Sequence, residues 1–377
     1  MHLQVEYLQN LSRKKWNGNK KNSVMSFTVE NTNQAKGLAI ILLLIHHLFY
    51  QPAGYFQDIV VFDVPLVFGL ARFSKVAVGI FVLLSGFGLY KSFEKKNAGF
   101  KNFCVQHLIK IYLNYWLMWI LFVPIGFLFF GRTLQNIYGH SEIFKLLINI
   151  SGLQYAFNFY GINPTWWFMS CIVILYLLFP FLYTLLKRFK EVFLILIFVI
   201  SLLSIDISIL GVQPFEPIRE YLFTFVLGMF IAQRNSIEKI NATNYKMLKL
   251  LLLTVVFLIF IFLRFQLKSK SLIVTDGVIS FILIYLLSQL KAKLKLLTLL
   301  GEHSFNIFLF HTFIYYFYFH KIVYVSSNPI VIFSITISLC LLLSILIEYL
   351  KNKLGFYILQ QKTYNWSIDK LKYIKLK

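Results

Sequence analysis

The 377-residue chain is too apolar for a soluble domain: 58% of its residues are hydrophobic, 14% are charged and 41 are phenylalanine. Long apolar runs recur along it, as is typical of membrane-spanning helices, and the alternation of a membrane β-barrel is absent. The formal net charge of +22 could indicate nucleic-acid binding, but membrane topology explains it better. We therefore expect membrane lipids, and no nucleic acid, as partners.

The apolar runs predict an all-α, polytopic bundle of about ten transmembrane helices. We place the spans at residues 35–52, 75–91, 108–131, 165–186, 192–210, 218–233, 249–264, 272–290, 304–321 and 329–350. With the N-terminus inside, 28 of the 37 lysines and arginines fall in inner segments and 9 in outer ones. The positive-inside rule therefore predicts that both termini are cytoplasmic.

This arrangement divides the chain into three parts. We expect residues 1–34 to be a flexible basic cytoplasmic extension, residues 35–350 to be the membrane domain, and residues 351–377 to be a basic cytoplasmic tail. The three cysteines form no pattern for a disulfide framework or a zinc site, so we expect no metal.

The first span carries an ionisable residue, His47, near its middle. Such side chains are costly in a bilayer and usually face a protein interior or a watery cavity. Lys36 precedes His47 by eleven residues, so both lie on one helix face, roughly 16 Å apart along the axis. This favours a base in the membrane with a cation at its cytoplasmic mouth. A structural histidine bonded to a neighbouring helix is the alternative, and His46, about 100° away, suits that role better.

The second and third spans carry further polar positions. Ser85 stands beside Gly86 and Gly88, small residues that allow close helix packing or the approach of backbone to a ligand. The lysine-rich inner loop that follows is typical of topology signals or contacts with anionic lipid. His107 and Lys110, spaced i, i+3, share a helix face that could contact the phosphates of a cytosolic ligand.

The fourth and ninth spans carry aromatic and polar residues at the membrane boundary and inside it. Trp166 and Trp167 stand at the outer start of the fourth span, where an aromatic belt is expected, although stacking against sugar rings is also open. His311 in the ninth span is a second intramembrane imidazole.

The order of these polar residues along the apolar spans resembles that of the acyltransferase-3 family. The members of this family are membrane O-acyltransferases, which acylate bacterial surface polysaccharides. Lys36 and His47 resemble its Arg/Lys-x10-His pattern, and FVLLSGFGLY, which contains Ser85, looks like its second-span signature. HLIKIYLNYW is similar to its basic entry to span three, and WFMS, YLLFP, FVLGMFIA and LGEHSFNIFLFH are similar to later signatures. The resemblance runs from about residue 31 to 350.

Two positions depart from the family pattern. The basic pair before span three is often two arginines, whereas this chain has His107 and Lys110; imidazole is largely neutral at pH 7, and lysine lacks the bidentate fork of arginine. A glutamate often follows the fourth-span signature by two positions, where this chain has Ile172. An acid role for that position is absent or supplied elsewhere.

The resemblance implies a multi-pass enzyme of a bacterial plasma membrane. It would move an acyl group, in the first instance acetyl, from cytosolic acyl-CoA to a hydroxyl of a capsular or other cell-surface polysaccharide, or of its lipid-linked oligosaccharide precursor. Acetyl-CoA would be a co-substrate, with no bound cofactor. His47 would act as a general base or carry the acyl group itself. Lys36 would be the second catalytic residue: it would hold a phosphate or the carbonyl oxygen of the donor, which we favour, or increase the fraction of neutral His47 by charge repulsion. His107 and Lys110 would also bind the donor, and Trp166, Trp167, Ser85 and His311 would hold the acceptor or support the site.

Transport is the main alternative, because a polysaccharide flippase or secondary transporter also suits ten spans and intramembrane histidines. The lack of internal repeats and the scarcity of buried carboxylates for ion coupling stand against it. A polymerase of lipid-linked repeat units is a third possibility. Such enzymes usually have a large outer loop, and loop 132–164 is modest.

Overall fold

The computed structural model describes residues 27–50, 55–61, 63–96, 99–203, 216–242, 245–266, 272–290 and 294–374. Sheet structure within these ranges is limited to the antiparallel pair β1 (Val60–Val61) and β2 (Val64–Pro65). Inner and outer denote the two sides of the membrane that the lysine and arginine distribution predicts.

Helices make up most of the described chain. In chain order they are α1 (Val29–Phe49), α2 (Leu66–Ser74), α3 (Ala77–Lys96), α4 (Phe100–Phe129), α5 (Leu134–Tyr138), α6 (Glu142–Ile150), α7 (Trp167–Leu203), α8 (Glu216–Arg219), α9 (Leu222–Arg234), α10 (Ser236–Ala242), α11 (Lys246–Gln266), α12 (Leu272–Ser288), α13 (Lys295–Glu302), α14 (Ser304–Thr312), α15 (His320–Val323), α16 (Pro329–Lys353) and α17 (Phe356–Ile374). Short 3₁₀ turns occupy Gln154–Phe157 and Pro164–Trp166, and Phe313–Tyr318 is a π-helical turn.

The predicted all-α, polytopic membrane fold is confirmed. Five helical runs of the described chain are long and apolar enough to cross a membrane: Leu66–Lys95, Phe100–Phe129, Pro164–Leu203, Met247–Phe265 and Pro329–Lys353. Shorter apolar helices lie at Leu222–Arg234 and Thr275–Ser288. Each of the ten predicted spans coincides at least in part with a helix, while the number of crossings and their orientation stay predictions.

The fourth and fifth predicted spans fall within one helical run, α7. The run is interrupted at Lys190, whose φ of 49° and ψ of −119° are not helical. The interruption lies between the two predicted spans, 165–186 and 192–210. Residues 204–210 of the second of these lie outside the described ranges.

Helical structure continues past both ends of the predicted membrane domain, residues 35–350. The Thr28 hydroxyl accepts from the Asn31 amide at 3.1 Å and the Asn31 side chain accepts from the Thr28 amide at 2.9 Å. This reciprocal capping box starts α1 at Val29 rather than at residue 35. Most of the predicted extension lies outside the described residues, and the predicted tail contains α17, which contacts α4 and α16.

Glycines bring two helix pairs into backbone contact. A Cβ on Gly37 of α1 would lie 2.0 Å from the Leu297 carbonyl of α13, and one on Gly86 of α3 would lie 2.1 Å from the Phe225 carbonyl of α9. Gly86 therefore serves close helix packing. Gly88 has no atom within 4 Å of the equivalent position, and it borders the cavity described next.

Candidate active site

A cavity of about 380 Å³ lies among α1, α3, α4, α7 and α14 and reaches the predicted inner ends of α1, α4 and α14. Four residues singled out in the sequence line it: Lys36, Ser85, His107 and Lys110. Most other lining residues are aromatic or aliphatic, and the volume falls within the range of small-molecule sites, roughly 300–1,000 Å³. The cavity thus combines an apolar interior with cationic groups at its inner end.

Lys36 and Lys110 give the cavity its positive charge. Lys36 is half-buried and Lys110 is exposed, and the two ammonium groups are close enough to repel each other. Neither forms a salt bridge with a carboxylate in the described part of the chain. Two neighbouring cations without a counter-ion form an attractive site for an anion.

A third lysine, Lys351 of α16, is buried next to this pair. Its Nζ donates to Asn114 Oδ1, Asn306 Oδ1 and Glu348 Oε1, each at 2.7 Å. All three ammonium hydrogens therefore have acceptors, as a buried charge requires. Lys110 acts electrostatically on Lys351 as well as on Lys36, so the positive field extends from the cavity to the start of α17.

Glu348 is the counter-ion of Lys351 and also holds the start of α17. It accepts from Asn306 Nδ2 at 2.8 Å and from the Tyr357 hydroxyl. Partial burial, and then the neighbouring carboxylate, raise the pKa of the Tyr357 phenol, which keeps the phenol protonated as a donor. The i, i+3 spacing of Glu348 and Lys351 is typical of a helical ion pair, whereas no pattern in the sequence indicates that Asn114 and Asn306 complete the network.

The two histidines of α1 have different surroundings. His46 Nδ1 lies 2.9 Å from the Ala71 carbonyl of α2, which is the structural role expected for it. His47 is partly exposed and has no hydrogen-bond partner among the described residues. Its ring lies 5.0 Å from that of His311 and 6.1 Å from that of Tyr315, centroid to centroid. The structure therefore brings together the two intramembrane imidazoles that the sequence singled out.

Three phenylalanines of the cavity wall form a cluster next to His311. The cavity wall includes Phe81, Phe168 and Phe308, and the Phe308 ring lies 6.0 Å from Phe81 and 4.8 Å from Phe168. On its other side Phe308 lies 6.1 Å from the His311 ring. His47 is not part of the cavity wall, although α1 carries both His47 and Lys36. Phe308 therefore separates the cationic cavity from the two histidines in this conformation.

Trp166 is buried and does not belong to a lipid-facing aromatic belt, while its role in holding the acceptor or supporting the site stays a prediction. Its side chain has no exposed surface; the indole Nε1 donates to the Leu309 carbonyl at 2.8 Å and the ring packs edge-on to Tyr115. It instead fixes α14 against the start of α7. Trp167 is partly exposed and stacks on Tyr221 at 5.6 Å, so a role in acceptor binding stays a prediction for this residue.

Arg264 is buried rather than part of an outer loop. The predicted span 249–264 ends at Arg264, which counts among the nine lysines and arginines of the predicted outer segments. In the structure its Nη1 lies 3.1 Å from Asp276 Oδ1 of α12, both side chains are 5% exposed, and its Nη2 donates to the Phe73 carbonyl. The buried pair costs less than either charge alone, and it links α11 and α12 to α2.

These observations define the class of protein: a polytopic helical membrane protein with a cationic cavity and a pair of histidines next to the phenylalanines of the cavity wall. A family model described as an acyltransferase domain matches residues 30–349, which is most of the chain. The chain therefore belongs to the acyltransferase-3 family and is a membrane acyltransferase. No curated protein and no solved structure matches it.

Proposed function

We propose that the protein transfers an acyl group, acetyl in the first instance, from cytosolic acyl-CoA to a hydroxyl of a cell-surface polysaccharide or its lipid-linked precursor. Family membership supports acyl transfer. The observation that carries the choice of donor is the inner cavity, because it holds Lys36 and Lys110 without a carboxylate partner. Coenzyme A brings several phosphates to such a site, and phosphate–ammonium hydrogen bonds are strong ones.

The shape of the cavity suits the rest of the donor. Its phosphates would bind at the inner mouth, and its uncharged arm would follow the apolar interior formed by Phe81, Phe168 and Phe308. The thioester must then pass the position of Phe308 to meet His47. A movement of the Phe308 side chain is therefore part of the proposed reaction.

His47 carries the proton during the proposed acyl transfer. Neutral His47 takes the proton of the acceptor hydroxyl as the oxygen attacks the thioester carbonyl carbon. The new C–O bond forms, the C–S bond breaks, and the proton passes from His47 to the departing thiolate, which leaves as coenzyme A. An acyl group carried transiently on His47 is the other route, and a labelled intermediate trapped in the absence of acceptor would favour it.

The test is donor consumption by membranes that contain the protein. Acetyl-CoA labelled in the acetyl group is added to inside-out vesicles; the release of free coenzyme A is measured as thiol, and the label is followed into polysaccharide. We expect label to appear on the saccharide as a base-labile ester only when the intact protein is present. Transport of saccharide without consumption of acetyl-CoA would reject the proposal in favour of a flippase.

A further inference from the structure

His311 has one nitrogen whose hydrogen-bonding capacity is unused. Its side chain has no exposed surface, and Nδ1 lies 3.1 Å from the Ile307 carbonyl and 2.9 Å from the Phe308 carbonyl. Since carbonyl oxygens only accept, Nδ1 of neutral His311 carries the proton and Nε2 is a bare acceptor. Nε2 is buried and has no partner within the described ranges. Burying an acceptor without a donor is unfavourable, so this nitrogen calls for an explanation.

His47 is the neighbouring group that can supply the missing donor. The two ring centroids are 5.0 Å apart with the planes at 48°, which is close to the spacing of two imidazoles joined nitrogen to nitrogen. Tyr315 lies farther away, at 6.1 Å from each ring. His46 lies 5.1 Å from His47, but it is engaged with α2 through Ala71.

Charged groups do not compete for His47 in the part of the chain that the structure describes. Its electrostatic neighbours are His46 and His311. The cations Lys75 and Arg264 act on His46. The group that orients His47 is therefore a neutral acceptor, and the buried acceptor beside His47 is Nε2 of His311.

We propose that His311 is the positioning residue of His47: its Nε2 accepts the N–H of His47 and leaves the other nitrogen of His47 bare toward the acceptor hydroxyl. The tautomer of a catalytic histidine is set by the bond that its second nitrogen makes. This inference rests on the proposed acyl transfer. A turn of the His47 ring about its soft Cβ–Cγ bond closes the contact, as catalytic hydrogen bonds commonly tighten only with substrate bound.

His311 would orient the ring of His47 and fix its tautomer, as the buried aspartate of a Ser-His-Asp triad does for its histidine. When His47 receives the hydroxyl proton, its N–H to His311 becomes a charge-assisted hydrogen bond, which is stronger than a neutral one. A neutral imidazole as partner avoids a permanent negative charge inside the membrane, where ionised groups are expensive.

Two substitutions at position 311 separate this role from packing. His311→Phe keeps an aromatic ring but has no acceptor, whereas His311→Gln keeps an acceptor on a flexible side chain. His320 belongs to the next helix along the chain, α15, and contacts Tyr55 and Tyr324 rather than His47. His320→Phe and His320→Gln are therefore matched controls, with protein abundance measured for every variant.

The first readout is the initial rate against acetyl-CoA concentration in membranes. We expect His311→Phe to lower kcat roughly 10- to 100-fold, the scale found for partners that orient a functional histidine, with the donor KM unchanged. His311→Gln should recover part of that loss, and the His320 variants should match the original protein. Equal losses in the Phe and Gln variants, or a change confined to KM, would overturn the inference.

The second readout does not depend on turnover. Diethyl pyrocarbonate acylates the bare nitrogen of neutral histidine, and peptide mass spectrometry gives the rate at His47. His311→Phe should slow modification of His47, and His320→Phe should not. If the protein transfers acyl groups but His311→Phe alters neither readout, the pairing is wrong and the function stands. If the protein consumes no acetyl-CoA while His311→Phe still slows labelling of His47, the function is wrong and the pairing stands.

Discussion

At the scale of single residues, His46 and His47 are adjacent imidazoles with separate roles. His46 is bonded to Ala71, and His47 lies against His311 with no hydrogen-bond partner among the described residues. We expect His47→Ala to lower acyl transfer by on the order of 10²–10⁴-fold, the usual contribution of a general base, while His46→Ala keeps most activity. Initial rates in membranes, normalised to protein abundance, check this. Greater sensitivity of the His46 variant would mean that the wrong imidazole has been assigned.

The proposed donor-binding lysines, Lys36 and Lys110, can also be tested one residue at a time. Lys36→Gln and Lys110→Gln should each raise the KM for acetyl-CoA, by roughly tenfold, because hydrogen bonds to charged groups contribute about 1.5–3 kcal/mol. Lys101 is the matched control: it is an exposed lysine on the same helix as Lys110 and does not line the cavity. Donor-dependent initial rates at fixed acceptor measure the effect. A KM unchanged in both variants, or raised equally by Lys101→Gln, would remove these lysines from the donor site.

At the scale of helices, the network around Lys351 connects α4, α14, α16 and α17. Lys351→Met would leave Glu348 and the two asparagine oxygens without their ammonium donor, and breaking a buried ion pair costs about 3–5 kcal/mol. We expect a lower thermal midpoint for the purified protein in detergent. Adding Glu348→Gln to Lys351→Met should restore part of the loss, since the uncompensated carboxylate is then gone. A single variant as stable as the original protein would show that the network contributes little.

Relations within one helix could be predicted from the sequence. The eleven-residue spacing places Lys36 and His47 on one face of α1, and the i, i+3 spacing does the same for His107 and Lys110 of α4. That Lys36 and Lys110 meet across a cavity depends on how α1 and α4 are placed among the other helices. Contacts such as that between Gly37 and Leu297 of α13 set that placement, and they join segments far apart in sequence.

The sequence predictions for Trp166 and Arg264 failed because a position near the membrane boundary was read as a sign of surface exposure. Trp166 lies at the predicted membrane boundary, but its indole turns toward the Leu309 carbonyl instead of the lipid. Arg264 ends a predicted span, but it turns inward to Asp276 of the following helix. In both cases the deciding partner is a hydrogen-bonding group on another helix, and hydropathy along a single segment carries no information about it.

At the scale of the whole molecule, the proposed donor and acceptor approach the reaction from opposite sides. The cationic cavity lies toward the inner ends of the helices, and the histidine pair lies beyond Phe308, nearer the predicted outer side. The net charge of +22 is concentrated by the predicted topology on the side where an anionic donor would arrive. Orientation in the membrane is therefore what connects the geometry of the site to the proposed substrates.

That orientation can be measured directly in a variant that lacks the three native cysteines. We expect a cysteine at Asn235 to be shielded from an impermeant thiol reagent added to intact cells, and one at Tyr160 to be labelled, since the distribution of lysine and arginine puts them on opposite sides. Both side chains are exposed, so a lack of labelling would not reflect burial in the fold. Permeabilised cells provide the control, because both positions should then react. Labelling of Asn235→Cys but not Tyr160→Cys in intact cells would place the cationic cavity outside, and cytosolic acyl-CoA could no longer be its donor.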